Sequence, residues 1–83
     1  MREIKRVILH CSATKEDQDI DAATIRAWHT SPPRNWSDIG YHFVVKLDGT
    51  IESGRPINRA GAHTKGHNKD SIGVCYVGGL DPS

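Results

Sequence analysis

The feature that most constrains the fold is an apolar run near the start of the chain. Residues Ile4–Cys11 (IKRVILHC) begin with partial alternation of polar and apolar side chains and then become continuously apolar. A short continuous run of this kind is typical of a strand that is covered on both faces, as in the parallel sheets of α/β proteins. The sequence therefore predicts a buried first strand and an α/β fold.

A helix is predicted after this strand and a polar loop, SATKEDQD. Asp21 is a suitable N-cap, and Ile20 and Ile25 flank it at the spacing of a hydrophobic staple. We expect the helix to span Ala22–Thr30 and to end before two consecutive prolines, which disfavour helical backbone. The residues predicted to share its buried face are Ala22, Ile25, Trp28 and His29.

Three further strands are predicted in the second half of the chain. The extended runs Tyr41–Lys46 and Thr50–Glu52 flank an Asp-Gly pair, which is a strong hairpin signal. Arg55–Lys69 is rich in Gly, Pro, Asn and His and is predicted to be a long ordered loop, a type of segment that is usually functional. Ser71–Val77 is the last predicted strand, broken by two glycines. The order β–α–β–β–β predicts a central mixed β-sheet with one flanking helix, which covers only one side of the sheet.

Length and charge exclude several classes of protein. The 83 residues make one domain or part of one, and a net charge of +1 without any block of like charge argues against nucleic-acid binding. No apolar run approaches the roughly 18–20 residues of a membrane span, and the first apolar stretch is too short for a signal peptide. We therefore expect cytoplasmic synthesis and no membrane insertion. Because one helix covers only one side of the sheet, we also expect a tendency to self-associate through the uncovered sheet face.

The two cysteines, Cys11 and Cys75, are too few for a disulfide scaffold. Each lies within an apolar run, which favours a buried, reduced thiol that packs as a small hydrophobic side chain. A bridge between neighbouring strands and metal ligation are the alternatives.

The five histidines suggest chemistry. His10 lies at the C-terminal end of the first strand, where ligands collect in α/β sheets, and a neutral imidazole there binds zinc or acts as a general base. A structural histidine is the alternative. His63 and His67 have the spacing of a zinc pair, but Gly66 argues against the helix that would put both on one face. Hydrogen bonding or substrate contact is therefore expected of them.

Two other histidines flank a tyrosine of interest. His29 is expected to pack on the helix face. His42 alternates with Tyr41 along a strand, so that one of the two faces the side on which His10 projects. The phenol of Tyr41 suits proton transfer or stabilisation of an oxyanion, with core packing as the alternative.

Four blocks of sequence carry a resemblance to a known family. These blocks, HCSAT, RAWH, IGYHFVVKLDGTIESGR and GAHTKGHNKDSIGVCYVGG, are similar in order and spacing to the amidase-2 family. That family comprises zinc-dependent N-acetylmuramoyl-L-alanine amidases of the phage T7 lysozyme type, which are related to the peptidoglycan recognition proteins. The resemblance runs from Arg6 to about Asp81. It implies the N-terminal portion of the amidase-2 fold, with residues 1–83 forming a single partial domain whose C-terminal part is absent.

The resemblance also implies roles for individual residues. His10 matches the first zinc ligand of the family, and Tyr41 matches the tyrosine that assists catalysis beside the metal. His63 and Asn68 fall in the block that lines the peptidoglycan groove and are candidate substrate contacts. Cys75 is similar to a buried core position and not to the cysteine ligand. The remaining zinc ligands of the family come after the final VGG block, so they are expected beyond residue 83.

The implied activity is hydrolysis of the bond between N-acetylmuramic acid and the L-alanine of the stem peptide in bacterial peptidoglycan. Cell-wall lysis by a phage or prophage endolysin, released by a separate membrane-permeabilising partner, fits this activity and the missing export signal. For these 83 residues alone we expect weak zinc binding and little or no activity, because a catalytic zinc site needs three protein ligands. A non-catalytic peptidoglycan-binding module and a regulatory fragment acting through protein contacts are the alternatives.

Overall fold

The fold is an α/β arrangement, as the order of sequence patterns predicts. The computed structural model describes residues 2–12, 14–15 and 20–80. The elements among them are β1 (Arg6–Cys11), β2 (Thr14–Lys15), α1 (Ala22–Thr30), β3 (Phe43–Val45), β4 (Ile51–Ser53), a 3₁₀ helix (Asn68–Asp70), β5 (Ser71–Tyr76) and β6 (Gly79–Leu80). No helix within these ranges is long and apolar enough to cross a membrane.

The main sheet has four strands in the order β1-β5-β3-β4. β5 pairs in parallel with both β1 and β3, whereas β4 returns antiparallel to β3 through a tight turn. At that turn Gly49 adopts a φ of 88°, a backbone conformation that glycine accepts without strain. The predicted mixed sheet and its hairpin are therefore confirmed, and β1 forms one edge of the sheet.

Helix α1 has the predicted bounds and the predicted cap. The Asp21 carboxylate accepts a hydrogen bond of 2.8 Å from the Thr24 backbone N–H, and the flanking Ile20 and Ile25 are both buried in the core. Trp28 was expected on the buried face but is 42% exposed. The buried stripe of this nine-residue helix is narrow, and Trp28 lies at its margin, beside an open cavity.

A second pairing joins two segments for which no strand was predicted. The strand β2, within the polar loop, pairs in parallel with β6, which begins at the second glycine of the Gly-Gly pair. β1 and β5 leave the main sheet side by side, and Ser12 Oγ accepts a hydrogen bond of 2.9 Å from the Gly78 N–H, which keeps the two segments adjacent. The other loop residues, 13 and 16–19, and the tail at 81–83 lie outside the described residues.

The two faces of the main sheet differ in their cover. Helix α1 packs on the covered face, where the core consists of Ile20, Ala22, Ile25, Ile39, Val44, Cys75 and Val77. The opposite face, which we call the open face, is made by the alternate residues Val7, Leu9, Cys11, Phe43, Val45, Ile51, Ser53, Ile72, Val74 and Tyr76. Within the described residues no helix lies on it, and Leu9 is 69% exposed. The strand β1 is therefore covered on one face only, as expected from a single flanking helix, although its apolar run is typical of a strand covered on both faces.

The cysteines follow the same division. Both thiols are free, and Cys75 is buried in the core as predicted. Cys11 is exposed, which corrects the expectation of two buried thiols. The reason is the alternation along β1, which turns Cys11 to the open face and its neighbour His10 to the covered face.

Candidate functional site

The candidate site lies on the covered face, where β1 and β5 end. His10 is the fifth of six residues in β1 and pairs in register with Cys75 of β5. Its ring is partly buried and lies 5.0 Å from the ring of His63 and 5.3 Å from that of Tyr41, measured between centroids. Three of the four site residues predicted from sequence, His10, Tyr41 and His63, are therefore brought together.

The two imidazoles are linked directly. His10 Nε2 lies 3.0 Å from His63 Nδ1, and the Thr64 hydroxyl lies 3.1 Å from each of these atoms. The Ser71 hydroxyl donates to the His67 carbonyl at 2.6 Å, so at 3.3 Å it accepts a hydrogen bond from the Nε2–H of His63. Neutral His63 then presents an acceptor at Nδ1, so His10 donates from Nε2. This pattern leaves the lone pair of His10 on Nδ1.

The loop around His63 is shaped by a neighbouring amide. The Asn68 carboxamide oxygen accepts hydrogen bonds from the backbone N–H groups of His63 and Thr64, at 2.9 and 3.0 Å. The His63 ring packs flat against Gly73 of β5, where a Cβ atom would come within 2.5 Å of it. Asn68 therefore holds the loop that carries His63, and it also borders a surface groove with Trp36 and Lys65. Its role as a substrate contact remains a prediction.

Tyr41 lies between two histidines. Its ring is 5.3 Å from that of His10 and 5.5 Å from that of His29. Burial raises the pKa of Tyr41 to about 12, and the Cys75 thiol beside its hydroxyl acts in the same direction. The phenol therefore stays protonated at neutral pH and is a hydrogen-bond donor.

An open cavity of about 140 Å³ adjoins Tyr41. Its lining residues are Ser12, Ile25, Trp28, His29, Arg34, Tyr41 and Cys75. The cavity combines apolar walls with a hydroxyl, a phenol, an imidazole and a guanidinium, which is the composition expected of a site for a small polar group.

The remaining histidines have structural contacts. His29 Nδ1 accepts a hydrogen bond of 2.9 Å from the Gly40 N–H, and its ring packs against Trp36, which confirms the predicted packing role. His42 is buried and accepts from the Gly73 N–H at 3.0 Å through Nδ1. His67 is exposed and contacts Arg6 at 3.2 Å. His63 and His67 thus have different partners and form no zinc pair.

Burial keeps the inner histidines neutral. Desolvation lowers the pKa of His10, His29 and His42 below the usual value, because a charged ring loses hydration in the protein interior. The pKa of His63 falls to about 4, first through desolvation and then through the neighbouring His10 and His42. Neutral imidazoles retain a lone pair, which suits them to bind a metal or accept a proton.

The described residues do not fit a complete catalytic zinc site. Such a site needs three protein ligands, and across residues 2–12, 14–15 and 20–80 no group of three or more His, Cys, Asp or Glu side chains is positioned to hold a metal ion. His10 and His63 approach each other, but their facing nitrogens share a hydrogen bond and their third neighbour is the Thr64 hydroxyl. His10 remains a candidate for one ligand.

Two contributors were missed in the sequence. Thr64 bonds to His10 across 54 positions of sequence, which no local pattern announces. Arg2 donates to the carbonyls of Ile57 and Ser71, at 2.8 and 2.7 Å, and so ties the N-terminal segment to both ends of the long loop. The sequence offers no usable signal for Thr64, because a hydroxyl residue after a histidine is common. It offers none for Arg2, because an arginine near a terminus has no characteristic pattern.

Comparisons with known proteins indicate one family. A family model described as N-acetylmuramoyl-L-alanine amidase matches residues 1–82. The endolysin of Escherichia phage T7 is 51% identical over 75 residues, which cover 90% of this chain and 48% of the endolysin.

Solved structures show the same likeness. The N-acetylmuramoyl-L-alanine amidase LysC from Clostridium intestinale superposes with a TM-score of 0.81 at 34% identity, over 93% of this chain and 48% of that one. A Drosophila PGRP-LB variant in complex with tracheal cytotoxin has a TM-score of 0.78 at 28% identity, over 94% of this chain and 49% of that one. The chain thus spans about half the length of these three relatives.

Proposed function

Because the chain belongs to the N-acetylmuramoyl-L-alanine amidase family, a family of enzymes, we propose that it forms the N-terminal half of a peptidoglycan amidase. The bond hydrolysed is the amide between N-acetylmuramic acid and the L-alanine of the stem peptide. Similarity to the T7 endolysin supports bacterial cell wall as the substrate and a role in lysis, after a phage-type release.

The observation that carries the proposal is the cluster of His10, His63 and Tyr41 beside an open cavity on the covered face. Loops that meet over the ends of parallel strands are the usual place for a site in an α/β sheet. A neutral His10 with its lone pair on Nδ1 supports a role as one zinc ligand. The other ligands are proposed to come from residues outside this sequence.

Tyr41 has the properties of an oxyanion donor. Because its pKa is raised to about 12, its hydroxyl keeps its proton and is able to donate a hydrogen bond to the carbonyl oxygen that becomes negative during amide hydrolysis. Burial fixes its ring between His10 and His29, so the donor is positioned before substrate binds. His63 and Asn68 are proposed to contact the substrate from the loop beside it.

Within the described residues the zinc site is incomplete, so we propose that the chain alone hydrolyses little or no peptidoglycan and binds zinc weakly. Calorimetric titration of the isolated chain with zinc tests this directly. A shallow isotherm is expected, because one imidazole binds zinc far more weakly than three ligands do. Tight one-to-one binding would overturn the proposal of an incomplete site.

A chimera tests the activity itself. In it, this chain replaces the 75 matched residues of the T7 endolysin, and release of muramic acid-free stem peptides from purified peptidoglycan is measured by mass spectrometry. We expect hydrolysis, and a loss of roughly hundredfold in Tyr41→Phe, as for removal of one oxyanion donor. Leu47→Ala, in the exposed hairpin turn away from both sheet faces, is the control and retains activity.

The outcomes separate the candidate roles. Full activity of the Tyr41→Phe chimera would remove the donor role of Tyr41. A folded chimera that binds peptidoglycan without cleaving it would favour the alternative of a non-catalytic binding module.

A further inference from the structure

A buried hydroxyl lies beneath the histidine pair on the covered face. Ser71 begins β5 and is 0% exposed, and its side chain lies on the same face as Gly73 and Cys75. Its hydroxyl contacts the His67 carbonyl oxygen at 2.6 Å and Nε2 of His63 at 3.3 Å. Burial of a hydroxyl is unfavourable unless it is hydrogen-bonded, and these two contacts satisfy Ser71.

The hydroxyl proton of Ser71 is donated to the His67 carbonyl. A carbonyl oxygen only accepts hydrogen bonds, and at 2.6 Å a hydroxyl turned away from it would bring two sets of lone pairs together. Because its proton is used there, Ser71 accepts from His63 and does not donate to it. The proton of the neutral His63 ring therefore lies on Nε2.

The tautomers of His63 and His10 are linked, because the two rings share one hydrogen bond. With the proton of His63 on Nε2, its Nδ1 accepts from the Nε2–H of His10, 3.0 Å away, and the lone pair of His10 lies on Nδ1. With the proton of His63 on Nδ1, the hydrogen bond reverses and the lone pair of His10 faces His63. Only the first arrangement leaves His10 a lone pair that His63 does not use.

We propose that Ser71 is a positioning residue, which acts through His63 to select the tautomer of His10 in which Nδ1 is the available ligand atom. Ser71 pairs with Arg6, four residues before His10 on β1, or about 13 Å at 3.3 Å per residue. The His63 ring bridges this distance, and we call the arrangement the Ser71–His63–His10 relay. It differs from the substrate contact proposed for His63, because it uses both ring nitrogens and needs no substrate. Its link to zinc rests on the proposed function.

Packing holds the bridging ring in place. The His63 ring packs against Gly73, where a Cβ atom would come within 2.5 Å of it, and the Asn68 carboxamide holds the His63 backbone N–H. A hydrogen-bond partner behind a metal-binding histidine fixes the tautomer and orientation of that ring and raises metal affinity. The relay has the parts that such a role requires.

The Thr64 hydroxyl is the other group that touches both rings. It lies 3.1 Å from His10 Nε2 and 3.1 Å from His63 Nδ1. A hydroxyl that rotates is able to donate or to accept, so it suits either arrangement and selects neither. Ser71 differs because its rotation is fixed by the His67 carbonyl.

The ring nitrogens report the tautomers directly. Long-range ¹H–¹⁵N correlation NMR of the 83-residue chain distinguishes protonated from unprotonated nitrogens, at pH 8, above the lowered pKa of His10 and of His63. We expect both rings of the unmodified chain to carry their proton on Nε2. In Ser71→Ala the buried Nε2–H of His63 loses its acceptor, so the ratio of the two His10 tautomers should shift by roughly tenfold or more toward Nδ1–H.

Three variants separate the relay from packing. Ser71→Thr keeps the hydroxyl and should keep the tautomers, even if the added methyl group lowers stability. Ser53→Ala makes the same change as Ser71→Ala on the exposed side of β4 and should alter neither ring. Thr64→Val removes the other hydroxyl and should leave both protons on Nε2.

Several results would overturn the proposal. A proton on Nδ1 of either ring in the unmodified chain is one, and it needs no variant to fold. An unchanged His10 tautomer in folded Ser71→Ala is another, and a shift in Thr64→Val without one in Ser71→Ala is a third.

Zinc titration relates the relay to the metal. In the chimera with the T7 endolysin, Ser71→Ala should weaken zinc binding by roughly tenfold, as for loss of a partner behind a ligand histidine, and Ser71→Thr should bind as the unmodified chimera does. Equal zinc affinity with and without the Ser71 hydroxyl would overturn the assignment of His10 Nδ1 as the ligand atom that the relay serves. A chimera that cleaves no peptidoglycan but shows both effects leaves the relay intact and counts against the amidase proposal alone.

Discussion

The covered and open faces of the main sheet differ in solvent exposure, although their residues alternate along the same strands. On the covered face, Val44 and Cys75 are fully buried and the histidine cluster lies at the strand ends. On the open face, Leu9 and Ile51 are more than two-thirds exposed. The exposed face is uncharged and is the more apolar of the two, so its exposure reflects what packs on each face and not polarity. An apolar strand needs packing partners on both faces, and those partners must come from other segments of the fold.

The largest predicted difference between the faces is in stability. Ile25→Ala removes a side chain that is 2% exposed under α1 and should lower the free energy of unfolding by about 2–5 kcal/mol. Leu9→Ala removes a side chain that is already in water and should change it by less than about 0.5 kcal/mol. Urea denaturation followed by circular dichroism measures both. Equal losses would mean that the open face is packed in solution.

The two cysteines report on the faces through their reactivity. Burial raises the pKa of the Cys75 thiol to about 11, so at pH 8 only about one Cys75 in a thousand is the reactive thiolate. Cys11 is exposed on the open face. We expect one fast and one slow thiol with Ellman's reagent, differing by roughly a hundredfold or more in rate.

Single replacements identify the two thiols. Cys11→Ser should abolish the fast phase, and Cys75→Ser should abolish the slow one. If Cys11→Ser leaves a fast phase, the covered face opens more readily than its burial indicates.

Local signals in the sequence were sufficient for the helix and the hairpin. The Asp21 cap, the following prolines and the Asp-Gly turn act within a few residues of themselves, and each is found where it was predicted. The apolar run of β1 alone indicates only that the strand needs cover, and the single predicted helix is what indicates that one face stays exposed.

The site was only partly predictable for a similar reason. The resemblance singled out His10, Tyr41 and His63, which the fold brings together. The Thr64 hydroxyl and the β2–β6 pairing depend on contacts between segments more than 50 residues apart, and no spacing along the chain encodes them.

Gly73 tests how tightly the covered face is packed beneath the site. A methyl group at this position would come within 2.5 Å of the His63 ring, so Gly73→Ala should displace the ring from His10 and destabilise the fold by about 1–3 kcal/mol. Loss of the nuclear Overhauser contacts between the two rings would report the displacement.

A double variant isolates the cause. Adding His63→Ala to Gly73→Ala removes the obstructing ring, so the two costs should not add. Strict additivity would mean that Gly73→Ala acts through the strand backbone and not through His63.

The smallest expected effect is a pH dependence that arises on the covered face. Burial, and after it the positive Arg34 and Arg55, lowers the pKa of His29, and its Nδ1 accepts the Gly40 N–H only while unprotonated. As pH falls below the ordinary value of 6.5, the unfolded chain takes up this proton before the folded one does. Stability should therefore be complete above about pH 6.5 and decrease below it, with a slope of at most about 1.4 kcal/mol per pH unit from this group.

Replacement of the ring by an amide tests that origin. In His29→Asn the amide oxygen is able to accept the Gly40 N–H but does not titrate, so denaturation midpoints measured from pH 8 to pH 5 should fall less steeply than in the unmodified chain. His42, which faces Arg2 and Arg55 and accepts the Gly73 N–H, has its pKa lowered in the same direction and should maintain part of the slope. His67→Asn changes an exposed histidine outside the covered face and should leave the slope as it was. An unchanged slope in His29→Asn would mean that the acid sensitivity arises from the other buried histidines and not from His29.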